Sequence, residues 1–286
     1  MDLQEPLFVC APLRSETVHN PMPAINLANL NKETARLADL FDEPAAFIRE
    51  LREILESYVN RTLRTRDTVT PSSTLPTYRT PPAILRKVEN MLRPLATENA
   101  DEALELADEL WDAGSLETRL LAAYLLGLIP PQEGRLLARL TVWTQKVRDP
   151  NVRSSLLTHS LARLRKEAPE DFLSLIAEWL YPHRQQFWSN GLQALLPLVN
   201  TASFDNLPPI FDIFEPVLEA APTMLQEDIE KMLLALYQAS PSETTYFIKE
   251  TLKKSTDQRT AMLLRRLSPT FPPELQDSLQ NELKAR

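Results

Sequence analysis

Leu106 to Ile129 reads LADELWDAGSLETRLLAAYLLGLI, and its periodicity decides the fold. Leu106, Ala107, Leu110 and Trp111 recur at the three-and-four spacing of one helical face. Asn99 followed by Glu102 has the form of a capping box at that helix's start. After Trp111, the corner Asp112-Ala113-Gly114-Ser115 supplies a glycine for a left-handed exit and a serine to cap the next helix. Glu117 falls in the new first turn, where a negative charge suits the positive end of the helix. Leu120, Leu121, Tyr124, Leu125 and Leu128 then form a second apolar stripe on a helix returning antiparallel. One such hairpin cannot bury both stripes, so it requires neighbours of its own kind.

The remainder of the 286 residues supplies them. With 43% hydrophobic residues the chain can bury a sizeable core. Four glycines argue against glycine-rich phosphate loops and a turn-rich β architecture, whereas 24 prolines suit many helices parted by short corners. The single cysteine, Cys10, excludes an internal disulfide and a thiolate metal cluster. His19, His159 and His183 have no ligand spacing, so no metal and no cofactor are expected. The N-terminus lacks the pattern of a signal peptide, and no apolar run has the length of a membrane span, so a cytoplasmic protein with no membrane partner is expected.

Residues 1–30 are interrupted by proline and aperiodic, and are expected to form an extended arm. Residues 31–66 are expected to be a helical appendage, with Asn31 or Pro44 opening helices and Leu51, Ile54, Leu55 and Tyr58 on one face. Residues 67–82, rich in Ser, Thr and Pro, read as a linker. From 83 to 286 helical patterns follow one another with corners near Asn99, Gly114, Pro130, Pro150, Pro169, Pro182, Pro208, Pro222, Pro241, Ser255 and Pro272. Pairs of these recur at about 40 residues, the period of HEAT or armadillo units. The expected fold is therefore all-α, an α-solenoid of antiparallel helix pairs. An irregular helical bundle is the alternative reading of the same pattern.

The formal net charge of −8 disfavours a nucleic-acid ligand on average, but charge is segregated along the chain. Glu98 to Glu117 holds eight acidic residues and no basic one. Between Arg135 and Lys166 the basic residues are Arg135, Arg139, Lys146, Arg148, Arg153, Arg163, Arg165 and Lys166, against Asp149 alone. Arg135, Arg139 and Lys146 fall within about 40° on a helical wheel, roughly a quarter-turn from the stripe of Leu136, Leu140, Trp143 and Val147. Such a face is either solvated surface or a groove for phosphates.

Three stretches resemble the DNA alkylation repair proteins, alkylpurine DNA glycosylases built from HEAT-like repeats. They are the LA..LW..GS.E.R..A..LL pattern of the opening hairpin, then Pro169–Trp179 with Trp188 and Leu192–Leu198, then Leu233–Leu267. Together they cover about residues 83–267. The resemblance implies duplex DNA held in a groove. It also implies a carboxylate that stabilises an oxocarbenium-like sugar, beside aromatic faces that hold the cationic base. It places that acid near Ser154, with a preceding Trp near Asp149, the groove Arg at Gly191 and a further Trp near Lys231. None of these positions carries the required residue. Asp149 stands as the one substitute carboxylate, within a shift of about one helical turn.

Arg135, Arg139, Lys146, Arg148, Arg153, Arg184 and Trp188 are the nucleic-acid-binding candidates, Trp188 as an exposed stacking ring. Ser154, Ser155 and His159 stand about one helical turn apart but have no orienting acid or oxyanion donor in view. Trp111, Trp143 and Trp179 are simplest as core anchors. The expectation is a solenoid that binds duplex DNA without efficient base excision. A non-catalytic scaffold binding a protein or peptide on the same fold is the alternative.

Overall fold

In the computed structural model, residues 26–59, 73–132, 134–201, 204–220, 222–255 and 258–284 are described. The first 25 residues of the expected arm, the arginines at 61, 64 and 66, and the start of the expected linker lie outside them. The described chain is all-α, with no strand among the described residues. Its helices are α1 (Leu27–Ala38), α2 (Pro44–Ser57), α3 (Pro82–Glu98), α4 (Ala100–Asp112) and α5 (Leu116–Leu126). They continue as α6 (Gly134–Lys146), α7 (Pro150–Ser155), a π-helical turn (Leu156–Ser160), α8 (Ala162–Glu167), α9 (Pro169–Trp179) and α10 (Trp188–Val199). The last are α11 (Pro208–Ala220), α12 (Gln226–Ala239), α13 (Pro241–Lys254), α14 (Gln258–Leu267) and α15 (Pro273–Lys284).

Local chemistry sets these boundaries. Gly114 leaves α4 with φ +77°, and the Ser115 side chain accepts from the Thr118 amide at 3.2 Å to open α5. Helices α2, α3, α7, α9 and α13 start on a proline, whose missing N–H costs nothing in a first turn. Two local expectations need correction. Asn99 makes no cap hydrogen bond; its amide donates back to the Leu95 carbonyl at 3.4 Å. And α1 begins at Leu27 rather than Asn31, because Asn26 Oδ1 accepts from the Asn29 amide.

Many helices pack on a sequence neighbour and on the next helix but one. In a first series α1 packs on α3, α3 on α5, α5 on α7 and the π turn, the π turn on α10, and α10 on α12. Arg266 of α14 extends it by donating to Gln226 of α12 at 2.9 Å. In a second series α2 packs on α4, α9 on α11, α11 on α13 and α13 on α15. Trp111 of α4 stacks on Trp143 of α6 at 4.3 Å and 8°, which joins α6 to the second series. Such a stack contributes about 1 kcal/mol beyond its buried area. One apolar core runs from Leu30 to Leu283, so α1 and α2 share it with the helices after residue 83. Residues 73–80 run along that body: Leu116 N–H donates to Pro76 O at 2.9 Å, and Thr77 Oγ1 to buried Glu117 at 2.7 Å.

Candidate nucleic-acid interface

The acidic run of the sequence meets the first two arginines of the basic run. Arg135 pairs with Asp101, and Arg139 grips Asp108 through both Nε, at 2.7 Å, and Nη2. Helix α6 therefore spends its two clearest cations on acidic α4, two helices earlier. Lys146 and Arg148 are exposed and have no ion-pair partner among the described residues. Arg153 reaches across to Ser189 of α10 at 2.7 Å, and Ser189 donates in turn to Asp228 of α12 at 2.6 Å. That chain of bonds ties three helices together, so Arg153 is a strut rather than a free cation. Arg184 is exposed in the 3-10 turn Pro182–Phe187.

Trp188, expected to be exposed, is 1% accessible, and its Nε1 donates to the Tyr181 carbonyl at 3.1 Å. Its ring fills the base of α10 and is closed to stacking. Asp149, the candidate groove carboxylate, is also 1% accessible. Its Oδ1 caps α7 by accepting from Asn151 and Val152 N–H at 3.0 and 3.1 Å. Its Oδ2 accepts from Ser73 Oγ and Thr74 N–H at 2.6 and 2.8 Å. Burial pushes its pKa up, but these bonds outweigh burial and hold it below the ordinary carboxylate value. The partners at 73–74 lie about 75 residues away in sequence, so no local pattern could have revealed them.

The other positions implied by the resemblance are equally dispersed. Ser154 is exposed on α7 and Lys231 is exposed on α12, paired with Glu227. Gly191 is buried, and a Cβ there would come within 2.6 Å of a Leu180 methyl, so this position admits no side chain without displacing Leu180. Ser155 Oγ lies 3.4 Å from His159 Nδ1, a marginal distance, and Ser155 is buried beneath the ring.

A different constellation, missed in the sequence, lies on the first series. Arg86 and Arg93 of α3, seven residues apart, share an exposed face. Arg93 Nε donates to Tyr124 Oη of α5 at 3.0 Å. The π turn brings exposed His159 to the same surface. It is pinned there by Ser160 Oγ donating to Ala123 O at 2.6 Å, by Arg163 donating to Leu128 O, and by contact of its His159 carbonyl with Gly127. A Cβ on Gly127 would overlap that carbonyl oxygen, so the close crossing needs glycine. Half-buried Glu89 sits among these groups. Burial raises its pKa, and the His159, Arg86 and Arg93 charges oppose the rise only in part. The seven-residue spacing of Arg86 and Arg93 was the one available signal; their proximity to residue 159 depends on stacking.

Charge follows the two series. Counting α8, which packs on the π turn as well as on α9 and carries exposed Lys166, the helices of the first carry 14 Lys and Arg against 8 Asp and Glu. Those of the second carry 9 against 20. The overall net charge thus hides opposite net charges on the two helix series. No group of metal-ligating residues and no helix able to cross a membrane occurs among the described residues.

These features define an all-α protein whose two series of packed helices carry opposite net charge. The chain belongs to the DNA alkylation repair family: the family model described as DNA alkylation repair enzyme matches residues 77–266. No curated protein and no solved structure matches the chain.

Proposed function

We propose that this protein is an α-solenoid of HEAT-like helix pairs that binds duplex DNA through its first helix series, with the phosphates on Arg86, Arg93, His159 and Lys166. The observation that carries this reading is the opposite charge of the two series within a chain of this family. Phosphate contacts supply most of the affinity of such a protein and make it fall steeply with salt. Arg135 and Arg139 stand on the other side and are neutralised by Asp101 and Asp108, so they contribute little.

Efficient base excision is not part of the proposal. The positions that the family resemblance marks for catalysis are Ser154, Gly191 and Lys231, and Asp149 is locked into a helix cap. Loss of even one preorganised electrostatic group costs a factor of about 100 to 1,000 in rate. Incubation with methylated duplex DNA should release alkylpurine at the rate of a protein-free control. Release well above that control which Glu89→Gln abolishes would make Glu89 a catalytic carboxylate and overturn this part of the reading.

A further inference from the structure

The acidic series holds a groove of a different chemistry, between α11 and α13, with a volume of about 680 Å³. Its floor is aromatic. Phe211 stacks on Phe247 at 4.7 Å and 20°, and Phe247 is backed by Phe214 at 6.0 Å. Tyr246 stands at the rim with 68% of its surface exposed, an unusual position for a large ring. Four carboxylates, Asp212, Glu215, Glu243 and Glu250, line the groove against one cation, Lys254. Glu215 is paired with Lys254 and Glu250 with Lys253, each at 3.0 Å. Asp212 and Glu243 are exposed and have no hydrogen bond or ion pair among the described residues.

We infer that this groove docks an arginine-bearing, basic peptide segment of a partner protein. Guanidinium is the side chain that satisfies both components at once. It lies flat on an aromatic face and donates in a fork to carboxylates at its edge. The two unpaired carboxylates fix its place at the rim, and Phe211 and Tyr246 offer the faces. The size falls in the range of roughly 300 to 1,000 Å³ typical of ligand sites. A DNA backbone is repelled here, because the lining carries three more negative than positive charges. Duplex bound on the cationic series would therefore leave this groove open to its partner.

The test is fluorescence anisotropy of the full chain with a fluorescein-labelled octapeptide of alternating Arg and Ala. A peptide with Glu in place of Arg serves as the control. Asp212→Asn with Glu243→Gln should weaken binding about tenfold, and Tyr246→Ala about threefold. Glu102→Gln with Glu105→Gln, which removes the same charge from distant α4, should leave it within about twofold. Equal losses from the α4 and groove pairs would reveal diffuse attraction to the acidic side and overturn the inference. So would binding insensitive to the groove pair, or no binding of the Arg peptide. Sedimentation velocity guards against a second copy as occupant: a dimer abolished by Tyr246→Ala would reassign the groove to self-association.

Discussion

Replacing Asp149 by alanine removes one carboxylate that accepts five hydrogen bonds. Two come from the first turn of α7 and form an N-cap, which contributes about 1 kcal/mol. Three come from Ser73 Oγ, Thr74 N–H and, at a long 3.4 Å, Thr74 Oγ1; the two short bonds to this charged acceptor contribute about 1.5 kcal/mol or more each before overlap is counted. The sum for Asp149→Ala is about 3–4 kcal/mol, reduced to about 3 by partial exposure at Thr74. For a chain of this size that lowers Tm by roughly 6 °C. Asn keeps one carbonyl acceptor and should cost about half as much. Because Asp149 is held below its ordinary pKa, its contribution is fully present above that value and is lost as pH falls through the folded-state pKa. The wild-type advantage over Asp149→Asn should therefore be constant near neutrality and shrink in strong acid. Denaturant titrations of wild type and both variants, repeated across acidic pH, measure this. A cost for Asp149→Ala below about 0.5 kcal/mol, or an advantage that grows in acid, would refute the cap reading.

Further outcomes follow from the same contacts. Gly127→Ala drives a Cβ into a backbone carbonyl and should cost about 2 kcal/mol, whereas Gly191→Ala meets Cδ2 and Cγ of the Leu180 side chain, which can shift, and should cost about 1 kcal/mol by thermal unfolding. Glu89 has a folded-state pKa raised chiefly by burial, so its charged form opposes folding and the penalty grows as pH rises above the ordinary carboxylate range. Glu89→Gln should thus be more stable than wild type at pH 8, with the gain gone at pH 4. Trp143→Ala should cost about 3–5 kcal/mol and remove the near-ultraviolet dichroism of the Trp111–Trp143 stack.

The parts of the fold that were legible in sequence are those fixed by neighbours in the chain. Gly114 and Ser115 announced their corner, and the prolines at 150, 169 and 241 announced helix starts, because turn chemistry acts over a few residues. The site was poorly legible, because its meaning lies between helices. The basic face of α6 was visible, but not that α4 would present Asp101 and Asp108 to it. Trp188 stood beside Ser189, Asn190 and Gly191 in a polar context, yet the Tyr181 carbonyl seven residues earlier gave its indole N–H a partner. Asp149 looked like a spare carboxylate until Ser73 and Thr74 closed on it. The Glu89–His159 neighbourhood needed the π turn, whose extra residue per turn no local propensity marks.

The central claim is that duplex DNA lies on the first helix series and not on the face of α6. Salt-dependent anisotropy with a labelled duplex compares two charge reversals, Arg86→Glu with Lys166→Glu, and Arg135→Glu with Arg139→Glu. The account predicts that the first pair reduces the slope of log affinity against log salt by about 2 and weakens binding regardless of sequence, while the second changes the slope by less than about 0.5. A slope unchanged by the first pair and lowered by the second would contradict it.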